Sequence, residues 1–112
     1  MVGKKYVPER GDIVRLNFNP GSGREQRGKR PAVTVSPGSY NGKVGLGLFC
    51  PITSKVKSYP FEARIQSGEI DGAALTDQVR SLDWRAREAR CAAKASPEEM
   101  REIAGKIGAL IF

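Results

Sequence analysis

Apolar and polar positions alternate with a period of two over most of the chain, and a helical period appears only towards its end. Asp12–Phe18 (DIVRLNF) alternates cleanly, opens after Gly11 and closes at Asn19-Pro20, and so reads as a strand. Residues 20–30 (PGSGREQRGKR) carry glycines and basic side chains with no apolar residue, which predicts a long loop unable to bury itself. Pro31–Ser36 is a β-branched strand, Pro37–Gly42 supplies turn residues, and Leu46–Ile52 reads as a third strand. Phe61–Ile65 alternates again. Gly72–Leu82 offers one or two short strands after the turn dipeptide Asp71-Gly72. Short strands at close spacing with glycine-rich turns predict a small barrel or curled sheet.

The helix is announced by Ser96-Pro97-Glu98-Glu99, a capping serine with proline at the first helical position and glutamate three residues after the cap. Met100, Ile103, Ala104, Ile107, Leu110 and Ile111 then recur at helical spacing, giving a stripe expected to pack on the sheet. Gly105 and Gly108 each cost roughly 1 kcal/mol relative to alanine, so packing must hold this element. Arg85–Ala95 is rich in alanine and admits a helical reading, although its arginines interrupt any clean period.

Composition narrows the function. At 112 residues the chain fits one domain, expected to span 1–112. Hydrophobic residues make up 39% and charged residues 28%, and no run approaches the ~18 apolar residues of a membrane span. Met1–Tyr6 is polar and basic with no apolar run behind it, so the cytoplasm is the expected compartment. Cys50 and Cys91 lie among apolar neighbours and read as reduced core residues, with a disulfide or thiol nucleophile as the alternative. Histidine is absent, and neither carboxylates nor cysteines cluster at ligand spacing, so the expectation is chemistry without a metal or other cofactor. The formal charge of +7 and pI near 9.8 favour polyanionic partners: nucleic acid, an anionic membrane or an acidic protein segment.

The candidate chemistry lies in Glu25-Gln26-Arg27-Gly28-Lys29-Arg30-Pro31, a basic loop with a single carboxylate ending at a strand entrance. Pro31 holds the Arg30 backbone extended, and a guanidinium there can grip a phosphate and stabilise a phosphorane's extra charge. Thr53 closes the third strand, ahead of Lys55 and Lys57, and its hydroxyl can donate to a phosphate or form a turn. Glu25 can take a proton from a ribose hydroxyl, or simply pair with the arginines around it. Along Asp77-Gln78-Val79-Arg80-Ser81 alternation puts Gln78 and Arg80 on one face, suited to base edges and phosphates, or to an ordinary sheet surface. Phe18, Tyr40, Tyr59 and Trp84 are candidates for stacking unpaired bases or for the core.

Taken in order, Tyr6-Val7-Pro8, Gly11-Asp12, Phe18-Asn19-Pro20, Glu25-Gln26, Gly28, Arg30-Pro31-Ala32, Tyr59-Pro60-Phe61 and Asp71-Gly72 through Ser81 closely resemble the MazF/PemK toxins. The resemblance covers nearly the whole chain. It implies a mainly β (α+β) fold, a small SH3-like barrel with a C-terminal α-helix, assembled as a homodimer. It also implies ribosome-independent endoribonuclease activity on single-stranded mRNA, and an acidic MazE-like antitoxin as partner. By the same resemblance Arg30 and Thr53 are the catalytic pair, and Glu25 matches an acidic loop position of the family. Asn17, Phe18, Arg27, Lys29, Lys57, Asp77, Gln78 and Arg80 are the candidate RNA contacts. In such enzymes the 2′-hydroxyl attacks the adjacent phosphate, leaving a 2′,3′-cyclic phosphate and a 5′-hydroxyl. Without histidine, Arg, Glu or a hydroxyl must serve; arginine is a poor base because its pKa exceeds ~12, so the expectation is Arg30 as charge stabiliser or acid and Glu25 as proton acceptor. Asn17 stands where relatives often carry aspartate, and Arg27 with Lys29 makes the loop more basic than some.

Three other readings fit parts of the chain. The charge and barrel also suit a non-catalytic nucleic-acid or ribosome-binding module. A gyrase-directed toxin on the same barrel would resemble a chain with tryptophan near its end, whereas this one ends Leu110-Ile111-Phe112. Membrane-surface binding lacks a basic amphipathic helix, since the C-terminal stripe begins with acidic residues.

Overall fold

The computed structural model describes residues 5–18 and 29–112. Among them the chain forms a curled antiparallel sheet of seven strands with a C-terminal helix, as the pattern predicted, in the SH3-like barrel that the resemblance implied. The elements are β1 (Asp12–Asn17), β2 (Lys29–Thr34), α1 (Gly38–Val44), β3 (Gly47–Thr53), β4 (Glu62–Ser67), β5 (Ile70–Leu75), β6 (Arg80–Leu82), β7 (Arg90–Lys94) and α2 (Pro97–Ile111). β3 is the hub. It pairs with β2 through 49–51, with β6 through 47–49 and with β5 through 52–53, which turns the sheet towards the end of the strand carrying Thr53.

The central strands are buried on both faces. Ile13, Val33, Cys50 and Ile65 pack with Ile103 of α2 on one side, while Val14, Leu16, Phe18, Ala32 and Phe49 pack with Leu82 and Trp84 on the other. In β1 the expected polar positions therefore hold buried groups as well, including Asp12, whose carboxylate accepts from Tyr6 Oη (2.6 Å), the Glu9 amide (3.0 Å) and Lys94 Nζ (2.8 Å). Burial opposes ionisation of Asp12, but these donors outweigh it and lower its pKa, while the same contact raises that of Lys94.

Several expectations are corrected. Pro37–Gly42 is not a simple turn but leads into α1, because Asn41 is buried and anchors the segment. Its side chain donates to Pro8 O (2.7 Å) and Ser36 O (3.1 Å) and accepts from Ser36 Oγ (2.6 Å). Gly45, at φ 85°, closes the helix in the left-handed conformation that glycine adopts without penalty. Arg85–Ala95 is not helical: after a turn, β7 covers the open edge of β1, where backbone pairing outweighs the local preference of alanine. Cys91 consequently lies exposed on β7, whereas Cys50 is in the core, its thiol pushed up to about 12 by burial and by the Asp77 charge. The alternation expected through Ser81 is broken by a tight 3-10 turn at Thr76–Gln78.

The reciprocal cap of α2 is present, with Glu99 N donating to Ser96 Oγ (3.0 Å) and Ser96 N to Glu99 Oε1 (2.8 Å). Glu99 also accepts from Gln66 N (2.8 Å) and Ser67 Oγ (3.1 Å), fastening the helix start to β4. The apolar stripe is shorter than expected. Ile103 is fully buried and Met100 and Ile107 partly so, while Ala104, Leu110 and Ile111 remain exposed with Phe112. No helix among the described residues is long and apolar enough to cross a membrane.

Candidate functional site

The register of β1 against β2 places Leu16 opposite Arg30 and Arg15 opposite Pro31. Arg30 thus stands at the start of β2 with its side chain exposed, beside an outward-facing Arg15. Thr53 ends β3, the strand paired with β2. From these neighbouring strands the two side chains share one space: Arg15, Arg30, Thr53, Lys55, Gln78 and Arg80 all line one open groove of about 720 Å³. Its floor is apolar, with Phe18, Pro31, Pro51, Ile52, Ile70 and Leu75 contributing.

Thr53 is held firmly. Its Oγ accepts from the Lys55 amide (3.0 Å), so the hydroxyl serves as a turn former and still has its own proton to donate into the groove. Gly72, on the neighbouring β5, lies so close that an added Cβ would collide with the Thr53 carbonyl oxygen, and would stand 3.0 Å from its carbonyl carbon. Only glycine permits this approach. Arg80 is fixed from the opposite wall, its guanidinium 5.5 Å from the centre of the Phe18 ring. Phe18 is only 9% exposed, so it acts chiefly as a platform for Arg80 and floor of the groove, not as a free stacking face.

A second recess of about 540 Å³ adjoins the first, sharing Thr53, Lys55, Leu75 and Gln78 and adding Lys57, Tyr59, Glu62 and Asp77. Here Tyr59 Oη donates to Asp77 Oδ2 (2.8 Å), and this bond to a carboxylate raises the phenol's pKa. Four cations, Arg15, Arg30, Lys55 and Arg80, face the main groove against two carboxylates, Glu69 and Asp71. Of these Asp71 is engaged by Arg64 (2.6 Å). The surface is thus biased towards an anionic chain long enough to occupy both recesses.

The predicted residues divide accordingly. Phe18, Arg30, Thr53, Gln78 and Arg80 line the main groove, and Lys57 and Asp77 line the adjoining recess. Asn17 and Lys29 do not. The Asn17 backbone is bound to Arg87, and Lys29 pairs with Glu88 at 3.5 Å at the far side of the β1–β2 end. Glu25 and Arg27 lie outside the described residues. Of the stacking candidates, Trp84 is buried at 4% with Nε1 donating to Asn41 O (3.2 Å), and is a core residue. Tyr59 and Tyr40 are exposed, and only Tyr59 faces a recess. Arg15 and Glu69 were not among the predicted residues, and Asp71-Gly72, expected as a turn, lies within β5. The one signal for Arg15 is that it is the sole cation within an otherwise buried strand.

Residues 9–111 match the family described as PemK-like, MazF-like toxin of type II toxin–antitoxin system. The chain is 48% identical over 107 residues to the endoribonuclease toxin MazF of Escherichia coli K12, covering 96% of each. To the endoribonuclease toxin ChpB of the same strain it is 34% identical over 114 residues, covering 96% of this chain and 97% of ChpB. A crystal structure of MazF from Deinococcus radiodurans superposes with a TM-score of 0.85 at 46% identity, over 96% of this chain and 98% of that one. A MazE–MazF crystal structure from the same organism does so with 0.85 at 42% identity, over 96% and 97%.

Proposed function

Because the chain belongs to the PemK-like, MazF-like toxins of type II toxin–antitoxin systems, we propose that its groove binds single-stranded mRNA and cuts it without a ribosome or a metal ion. The 2′-hydroxyl attacks the adjacent phosphorus as its proton leaves, the P–O5′ bond breaks, the departing 5′-oxygen takes up a proton from water, and the products carry a 2′,3′-cyclic phosphate and a 5′-hydroxyl. Arg30 supplies paired donors to the non-bridging oxygens as charge accumulates on the phosphorane, an effect typically worth 10²–10³ in rate per donor. Its guanidinium does not lose a proton near neutral pH and so is not the base. Thr53 donates its hydroxyl proton to the same phosphate, and Glu25 takes the proton from the 2′-oxygen. Arg15, Arg80 and Lys55 neutralise flanking phosphates, while Gln78 meets a base edge. The observation that carries this reading is that Arg30 and Thr53, on different strands, face one cationic groove.

Growth arrest follows from loss of mRNA in the cytoplasm, and control from an acidic MazE-like antitoxin whose carboxylates compete for the same cations. The proposed assembly is a homodimer, which size-exclusion chromatography with light scattering reads directly. The functional test is incubation of the purified protein with a defined single-stranded RNA in EDTA, with analysis of fragment ends. Cleavage to cyclic-phosphate ends by the wild type, lost in Arg30→Ala, is expected. Binding without scission would instead make the protein a non-catalytic RNA-binding module.

A further inference from the structure

The loop between β3 and β4 carries Lys55, Lys57 and Tyr59 to the recess beside Thr53, yet every residue from Ser54 to Pro60 is exposed, and the loop has no core of its own. At its middle, Lys57-Ser58, the hold comes from one side chain. Glu62, the first residue of β4, is only 9% exposed, and its carboxylate points back into the loop. Oε1 accepts from the amides of Lys57 (3.0 Å) and Ser58 (2.9 Å), and Oε2 takes a longer bond from Lys57 (3.3 Å). Ser58 sits at φ 58°, a left-handed conformation unfavourable for a residue with a Cβ, so the loop needs an external hold to keep it.

Glu62 is itself anchored. Its amide donates to Tyr59 O (2.9 Å), and its carbonyl accepts from Lys106 Nζ of α2 (2.7 Å). The preceding carbonyl, of Phe61, accepts both from the Thr76 amide (3.1 Å) and from Thr76 Oγ (2.6 Å). A rigid corner built from β4, α2 and the 3-10 turn therefore presents a buried carboxylate to the backbone of a cationic loop. The loop's far end is tied to the same turn by Tyr59 and Asp77. A negative charge beside a nucleic-acid groove is unfavourable for binding in itself, and this one is engaged by backbone amides.

We infer that Glu62 is a positioning residue for RNA: by capping the Lys57 and Ser58 amides it fixes the loop so that Lys55 and Lys57 meet successive phosphates of a strand passing Thr53. This rests on the RNA-cleaving reading above. Glu62 touches no reacting atom, so its loss weakens RNA binding and leaves the chemical step largely intact.

The test uses Glu62→Leu and Glu62→Gln, with a fluorescein-labelled single-stranded RNA made uncleavable by 2′-deoxy substitution for binding and its all-ribose form for single-turnover cleavage. Glu62→Leu is expected to raise Kd roughly tenfold while the cleavage rate at saturating RNA stays within about threefold. Each phosphate contact on single-stranded RNA contributes about 0.7 to the slope of log affinity against log salt, so losing two lysine contacts flattens that slope by about 1.4. Glu62→Gln restores both values, because the two shorter bonds fall on one oxygen and an amide carbonyl can accept both. A general loss of stability would not change the salt slope. Hydrogen exchange on the wild type is expected to show slow Lys57 and Ser58 amides, accelerated in Glu62→Leu alone. Should the leucine variant not fold, Glu62→Asp withdraws the carboxylate by one methylene with its charge kept, and shifts both quantities the same way by less. Unchanged Kd and salt slope in the folded variants, or unprotected Lys57 and Ser58 amides in the wild type, overturns the inference while leaving RNA cleavage intact. A wild type that neither binds nor cuts RNA overturns the cleavage reading and this inference with it.

Discussion

The closest backbone approach in the site gives a substitution that tests Thr53 without touching it. Gly72 on β5 faces the end of β3, where Ala73 pairs with Thr53 and Ala74 with Ile52. In Gly72→Ala the new methyl would overlap the Thr53 carbonyl oxygen while sitting 3.0 Å from the carbonyl carbon and 3.2 Å from Ile52 Cγ2. The obstructing atoms are backbone, so no rotamer change relieves the overlap, and the strands must part by about 1 Å to reach ordinary contact. Overpacking of this kind costs about 1–3 kcal/mol, a tolerable loss for a domain of ordinary stability. A 1 Å displacement of a group in the catalytic constellation is worth roughly 10²-fold in rate. Gly72→Ala is therefore expected to melt lower by several degrees, to bind the 2′-deoxy RNA within about threefold of wild type, and to cleave about a hundredfold slower in single turnover. Folded Gly72→Ala protein that cuts RNA at the wild-type rate would refute the placement of Thr53 at the reacting phosphate.

Other outcomes follow from the same geometry. Arg30→Ala is expected to lose at least two orders of magnitude in single-turnover cleavage while retaining most RNA binding through the remaining cations. Glu25→Gln, measured beside it, should abolish the rise of rate with pH; full cleavage by this variant would remove Glu25 as the base. Trp84→Ala is expected to cost about 3–5 kcal/mol by thermal unfolding, since it empties the core beneath α1 and removes one of the two donors to the Asn41 carbonyl. Asp12→Ala should cost about 2–3 kcal/mol by leaving Tyr6 Oη and the Glu9 amide without their acceptor. The pH dependence of that contribution has two ends. The folded pKa of Asp12 is lowered, so its stabilisation is present above the unfolded value near ~4 and disappears as pH falls through the folded value. That of Lys94 is raised, so its share is present below the unfolded value near ~10.4 and disappears as pH rises through the folded one. The melting-temperature gap between wild type and variant should close as pH falls and narrow, by the Lys94 share alone, as pH rises.

Local signals were the legible ones. The first strand and the Ser96–Glu99 cap depend on residues adjacent in sequence and occur where the pattern puts them, while β2 starts two residues earlier than predicted, inside the expected loop. The β7 edge strand was hidden because pairing with β1 overrides alanine's helical preference. Trp84 read as a stacking candidate because nothing nearby in sequence announces that Asn41 would take its indole proton. Arg30 and Thr53 were expected from family resemblance, and the pairing of β2 with β3 supplies what the sequence lacks, their common groove. Gln78 and Arg80 do face one groove, but through a 3-10 turn and not through strand alternation. Glu62 carried no signal and Gly72 read as part of a turn: one acts through loop amides and the other through the absence of a side chain, and both meanings exist only once β3, β4 and β5 are assembled.

The most direct measurement of the central claim is cleavage of an RNA in which a single ribose, the one 5′ to the mapped cut, is replaced by 2′-deoxyribose. Attack by the 2′-oxygen requires that this one substitution abolish scission at that bond, with binding retained and neighbouring sites still cut. Continued cleavage there at the normal rate would mean that water or another nucleophile attacks the phosphate, and the mechanism built on Arg30 and Thr53 would be wrong.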